Sequence, residues 1–248
     1  MRYFIELSYF GKAYHGWQNQ PDSISVQEVL EEKLGMVLRS DIAIVGAGRT
    51  DAGVHAKQMF AHFDHNEDID TGLLKYKLNS MLPKDIAIAC IFKVNDEAHA
   101  RFDAVSRSYE YHIVQEKDAF KKDLAWLLKH KIDVDRMNEA AQILKAYTNF
   151  KCFSRSRTDV KTYNCRIDDA EWKKEGNELV FHITADRFLR NMVRAIVGTL
   201  IAIGQHKFPV SQMHEIIQSE DRGEAGASVP AHGLYLTRIE YPANIRID

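Results

Sequence analysis

The chain has 248 residues, 45% of them hydrophobic and 27% charged, and no apolar run approaches the ~20 residues a membrane span needs. Its formal net charge of −2 excludes a uniformly basic nucleic-acid-binding surface and leaves room for a local basic cleft. Cys90, Cys152 and Cys165 are odd in number and unpaired in spacing, which fits free thiols in a reducing cytoplasm; residues 1–10 have neither the basic nor the long apolar region of a signal peptide.

Residues 2–9 alternate, with Tyr3, Ile5, Leu7 and Tyr9 on one face, and predict a strand. Ser25 and Glu28 form a capping box ahead of Val26, Val29, Leu30, Leu34 and Val37 at helical spacing. A short apolar strand follows at 42–45, and another carries Met59, Ala61 and Phe63. Asp70 caps a second helix with Leu73, Leu74 and Leu78, ended by Pro83, and 86–94 reads as a buried strand. The order is βαββαβ, that of the ferredoxin-like unit.

The order nearly repeats. Residues 106–114 alternate, a helix over 135–147 carries Met137, Ala140, Ala141 and Leu144, and strands near 166–173 and 178–185 flank a Gly176–Asn177 turn. A long helix over about 188–203, a shorter one near 211–218 and a last strand at 234–241 complete the chain. The expected fold is α+β: two ferredoxin-like halves, 1–100 and 101–248, whose sheets would leave a concave surface between them if joined side by side.

The segment GAGRTDAGVHA, residues 46–56, concentrates three glycines and a Thr–Asp pair between two strands. Gly46 and Gly48 invite a dinucleotide reading, but Asp51 stands where the third glycine belongs, no helix opens after it, and an acid there repels a pyrophosphate. Two readings remain for Arg49-Thr50-Asp51. Either Asp51 caps its own backbone in a turn while Arg49 makes a surface ion pair, or Asp51 is a functional carboxylate that needs a cationic partner and an apolar wall. On the helix over 188–203, Arg187, Arg190 and Arg194 fall within about 60° of one face. Such a stripe ordinarily means a solvated face, yet the small and apolar flanks Ala195, Gly198 and Ile201 let Arg194 sink inward, and a buried arginine needs a carboxylate. Tyr109 and Tyr111 share a strand face, as core packing or as a platform for a base. Trp17 is either a core cap or a partner contact. No HExxH, CxxC, GxSxG or Walker pattern is present, so neither a zinc site nor a nucleotide loop is expected.

Seven blocks, in order, carry a family resemblance: YHGWQ at 14–18, SVQEVLEEKL at 25–34, GRTDAGVHA at 48–56, LPKDI at 82–86, ARFDAVSRSYEYHI at 100–113, RFLRNMVRAIVGTL at 187–200 and PAHGLYL at 230–236. The chain resembles bacterial tRNA pseudouridine synthases of the TruA type, from its first strand to its last. The resemblance implies isomerisation of uridine to pseudouridine at positions 38, 39 and 40 of the tRNA anticodon stem–loop, by a cytoplasmic homodimer with no membrane association. It also implies that the two ferredoxin-like halves form a shared mixed or antiparallel sheet with helices on one face and a central cleft, that Asp51 is the catalytic carboxylate, Arg194 its basic partner and Tyr109 the aromatic under the uracil. Arg49 is similar to the arginine that helps displace the target base, and Arg155, Arg157, Arg187 and Arg190 fit phosphate contacts.

The implied reaction breaks C1′–N1, turns the uracil and rejoins it through C5, without redox change or net proton loss, so no metal and no cofactor is expected. Opposite charge on Arg194 favours the ionised carboxylate. Attack at C1′, addition at C6 and abstraction to a glycal all remain open to it, and the Tyr109 hydroxyl is placed to take the C5 proton. Flipping the base costs a few kcal/mol, least near the end of a stem. A non-catalytic RNA-binding module is the alternative, but it lacks the RNP aromatic pattern and gives no reason for Asp51 and Arg194 together. A carboxylate-pair glycosidase needs two acids where this motif supplies one. Three stretches depart from the family pattern: Phe10-Gly11-Lys12 where Asp-Gly-Thr is usual, Thr148-Asn149-Phe150 for His-Asp-Phe, and a missing Ala-Pro before Pro230.

Overall fold

Alternation over the first residues produces β1 (Arg2–Tyr9), the strand around which the first of two compact units is built. The structure, a computed structural model, describes residues 1–155 and 160–247. Its first unit comprises residues 1–105 and 236–248, its second 106–235.

In the first unit the capping box forms as the spacing predicts. Ser25 Oγ accepts from Glu28 N at 3.0 Å, Glu28 Oε2 accepts from Ser25 N at 3.4 Å, and α1 (Val26–Leu38) buries Val26, Leu30 and Leu34 at four-residue intervals. After the two-residue β2 (Val45–Gly46) and β3 (His55–Asp64), α2 (Thr71–Met81) opens at Asp70, whose carboxylate accepts from Leu73 N at 2.9 Å. It ends at Leu82, because Pro83 follows, and β4 (Ile86–Val94) comes next. β1 runs antiparallel to both β3 and β4, and β9 (Leu234–Glu240) lies beside β3, giving the order β4-β1-β3-β9. The β1–β3 register slips between Leu7 and Tyr9, which sets Tyr9 opposite Ala56.

The sequence division kept the last strand with the second half, whereas residues from Leu236 onward pack with the first unit. Ile239 N donates to Gln58 Oε1 at 2.9 Å, and Val105 N to Glu240 O at 2.8 Å. Phe4, on the opposite face of β1 from Tyr3 and Ile5, is also fully buried. Tyr241 meets its ring edge-on at 5.3 Å and that of Phe60 at 5.1 Å, and the Arg246 guanidinium lies 3.9 Å from the Phe92 centroid. Periodicity announces such a strand but not its partner.

The second unit is built on β5 (Ser106–Val114), β7 (Ile167–Glu175) and β8 (Glu178–Ala185), antiparallel in the order β5-β8-β7. Gly176, at φ +62°, turns the β7–β8 hairpin where the sequence places it. A short strand the alternation does not reveal, β6 (Trp126–Leu127), pairs parallel with β5. α3 (Val134–Ile143) stops before 147 and tightens into a 3-10 turn through Ala146. α4 (Met192–Gly204) is buried on nearly every side, and α5 (Gln212–Ser219) follows.

One expectation is corrected here. α4 begins at Met192, not near 188, because Asn191 takes a left-handed conformation at φ +66°. Arg187 and Arg190 therefore precede the helix, and only Arg194 of the three stands on it.

Candidate active site

The loop carrying Asp51 is held from below by residues 9–17. Tyr9, turned by the register slip, shares a 2.8 Å hydrogen bond with the buried Thr50 hydroxyl. Trp17 N donates to Thr50 O at 3.3 Å and Gly53 N to Tyr14 O at 3.3 Å. Gly16 is the point of closest approach: it sits at φ +93°, and a Cβ there would come within 2.3 Å of Thr50 O. Trp17 is 2% exposed, with its indole over Gly46 and its ring 6.2 Å from that of Tyr9, so it belongs to the loop's support. The turn closes through Asp51 O, which accepts from Val54 N at 3.1 Å, and Gly53 at φ +78°. Thr50 is buried, Asp51 half-buried and Arg49 exposed, so three consecutive residues stand at three depths.

His55 anchors the far end of the loop. Its Nδ1 accepts from Gly11 N at 2.9 Å, and its ring stacks on Phe10 at 4.5 Å with 6° between planes. Phe10, one of the departures from the family pattern, is a packing partner for this buried histidine.

In the second unit Arg194 is half-buried and bonded on both its side chain and its backbone to Val229. Its Nε donates to Val229 O at 2.8 Å, while Val229 N donates back to Arg194 O at 3.2 Å. Segment 225–229 reaches this position by crossing α4 at Gly198, where a Cβ would lie 1.8 Å from Ala227 O. Gly226 N donates to the buried Thr199 hydroxyl at 2.8 Å, and Ser228 Oγ accepts from Asn191 and Arg222. Both bonds to Arg194 use backbone atoms of Val229, the residue before Pro230. Spacing on the helix could not have shown this clamp, since its partner is a carbonyl 35 residues away.

Tyr109 and Tyr111 share a strand face as expected, but their surroundings differ. Tyr111 is fully buried, its hydroxyl donates to Pro230 O at 2.9 Å, and burial pushes its phenol far above the usual range. Tyr109 is half-buried, and its ring meets Phe188 edge-on at 5.1 Å. Only Tyr109 therefore keeps part of its ring at the surface. Arg155 and Arg190 are exposed and joined through their backbones, Arg155 N donating to Arg190 O at 3.0 Å; Arg187 is half-buried. Arg157 lies outside the described residues. At the Thr148-Asn149-Phe150 departure, Asn149 donates to Glu220 at 2.9 Å and Phe150 is fully buried.

Among the described residues no group of three or more His, Cys, Asp or Glu side chains is placed to hold a metal ion. No helix among them is long and apolar enough to cross a membrane.

A family model described as tRNA pseudouridine synthase matches residues 7–103 and 140–242. The chain belongs to the tRNA pseudouridine synthase family. Pseudouridine synthesis is an isomerisation, so this is a family of isomerases. The chain is 51% identical to the tRNA pseudouridine synthase A of Parabacteroides distasonis over 98% of its own length and 97% of the relative's. It is 49% identical to the protein of the same name from Porphyromonas gingivalis, covering 98% of each, and 49% identical to that of Bacteroides thetaiotaomicron over 98% and 92%. The matched stretches contain the Asp51 loop and the Arg194 helix; Tyr109 falls between them.

Proposed function

We propose that this protein isomerises uridine to pseudouridine at positions 38, 39 and 40 of the tRNA anticodon stem–loop, as a cytoplasmic homodimer, with Asp51 as the catalytic carboxylate. The observation that carries the reading is the loop itself. Residues 9–17 fix the backbone on both sides of Asp51, and a chain bound so tightly around one half-buried acid is preorganised for charge chemistry rather than for surface solvation.

Asp51 acts as the carboxylate at the glycosidic centre, and Arg194 is its basic partner. In the overall step the C1′–N1 bond breaks, the uracil turns, and a C5–C1′ bond forms. The C5 proton then passes to the Tyr109 oxygen as that hydroxyl releases its own proton to solvent, and N1 takes up one proton from solvent, so one proton leaves and one arrives. Arg49, exposed at the loop tip, takes the space of the displaced base. Arg155, Arg157, Arg187 and Arg190 hold phosphates.

The test is a tRNA transcript carrying tritium at C5 of its uridines, incubated with wild type and with Asp51→Ala. Tritium release by wild type and none by the variant is expected. Release by both removes Asp51 from the chemistry, and binding without release by wild type favours the RNA-binding-module reading.

A further inference from the structure

Residues 98–103 form an irregular turn in the first unit in which every backbone N–H has a protein acceptor. Ala98 N donates to Asn95 O, His99 N to Asp103 Oδ2, Ala100 N to His62 Nδ1, Arg101 N and Phe102 N both to His99 Nδ1, and Asp103 N to His99 O, all between 2.7 and 3.4 Å. Two carbonyls are held as well, that of Ala98 by Arg2 and that of Ala100 by the Tyr241 hydroxyl at 2.6 Å. Non-repetitive chain is rarely satisfied this completely without helix or sheet.

This rigidity holds an apolar side chain in water. Phe102 is 72% exposed, although a phenylalanine gains most from burial. It ends a column of rings that starts in the core: Phe4 stacks on His62 at 6.1 Å, His62 meets His99 edge-on at 4.7 Å, and His99 meets Phe102 at 4.3 Å. The exposed Arg101 places its guanidinium 5.6 Å from the Phe102 centroid. A largely exposed ring with a guanidinium lying over it, on fully hydrogen-bonded backbone, offers stacking and charge together, which is what an unpaired nucleobase and its phosphate recognise.

We propose that Phe102 and Arg101 form a stacking platform for an unpaired base of the RNA, separate from the uridine held at Asp51. The platform rests on the tRNA reading above. A fixed backbone makes the stack inexpensive in entropy, since neither the turn nor the buried part of the ring column has to be ordered on binding.

The test compares wild type, Phe102→Ala, Phe102→Trp and Phe120→Ala, the last a control on a still more exposed phenylalanine of the second unit, on one unmodified tRNA transcript. Phe102→Ala is expected to raise Kd and KM about tenfold, the size of one base stack, with kcat within about twofold. Phe102→Trp is expected to restore affinity, and its added fluorescence to be quenched by tRNA beyond the wild-type background. Phe120→Ala is expected to match wild type. If wild type binds and turns over while Phe102→Ala matches it, the platform is wrong and the tRNA reading stands. If wild type neither binds nor turns over, the tRNA reading falls and the platform with it. A Phe102→Ala protein that sediments as a smaller species with unchanged affinity makes the ring a subunit contact and also overturns the platform.

Discussion

Two tyrosines two residues apart illustrate how much burial decides. Both are legible in the sequence as neighbours on one strand face, but only the structure shows that the Tyr111 hydroxyl is committed to Pro230 O while Tyr109 keeps part of its ring at the surface. Tyr109→Phe should accordingly lower turnover and leave tRNA affinity within about twofold, whereas Tyr111→Phe should act on stability, by about 1 kcal/mol for one lost buried hydrogen bond. Single-turnover rates and thermal melts separate the two. Arg194→Ala should lower kcat/KM on the order of 10²- to 10³-fold. Arg194→Lys should recover only part of that, because it keeps the charge and loses the Nε bond to Val229 O. His62 supplies a pH prediction. It is 4% exposed, and burial lowers its pKa from 6.5 to about 4, so the unfolded chain takes up the proton first. Stability is complete above pH 6.5 and falls as the pH drops toward 4, by about 3 kcal/mol from this group. His62→Gln keeps an acceptor for Ala100 N with nothing to titrate, and its urea midpoint should vary less across that window.

At the scale of elements, caps and turns were the most readable features. The Ser25–Glu28 box, the Asp70 cap and the Gly176 turn form where local chemistry places them, because each is settled within a few residues. The start of α4 was not, since Asn191 satisfies a tertiary demand: its side chain reaches Ser228 at 2.6 Å, and a left-handed residue at that point ends any helical continuation. The glycines of the Asp51 loop were conspicuous, yet the one the loop cannot spare is Gly16, in a different block of sequence. Gly16→Ala should cost about 1–3 kcal/mol by overpacking and displace Thr50 O, so kcat/KM should fall further than stability alone accounts for. Gly198→Ala should act in the same way through Ala227 and release Arg194 from Val229. Comparing kcat/KM with fraction folded at one temperature checks both.

At the scale of the molecule, the repeat of α+β halves follows from periodicity alone, but the assignment of 236–248 to the first unit does not, since a strand's pattern is the same whichever neighbour it finds. Tyr241 is the measurable part of that closure. Tyr241→Ala removes two edge-on ring contacts and the hydroxyl bond to Ala100 O, and should destabilise the protein by about 2–4 kcal/mol in denaturant titrations. The same interleaving separates the order of synthesis from the order of assembly. Residues 106–235 can complete their unit as they emerge, but the unit that carries Asp51 lacks Tyr241 until residues 236–241 have followed them. At about 5–20 residues per second, that wait is on the order of ten seconds. During it, the aromatic face of Phe4, Phe60 and Phe92 lacks the Tyr241 ring that packs on it, so the first half carries an uncovered apolar surface while its own Asp51 loop already has the support of residues 9–17.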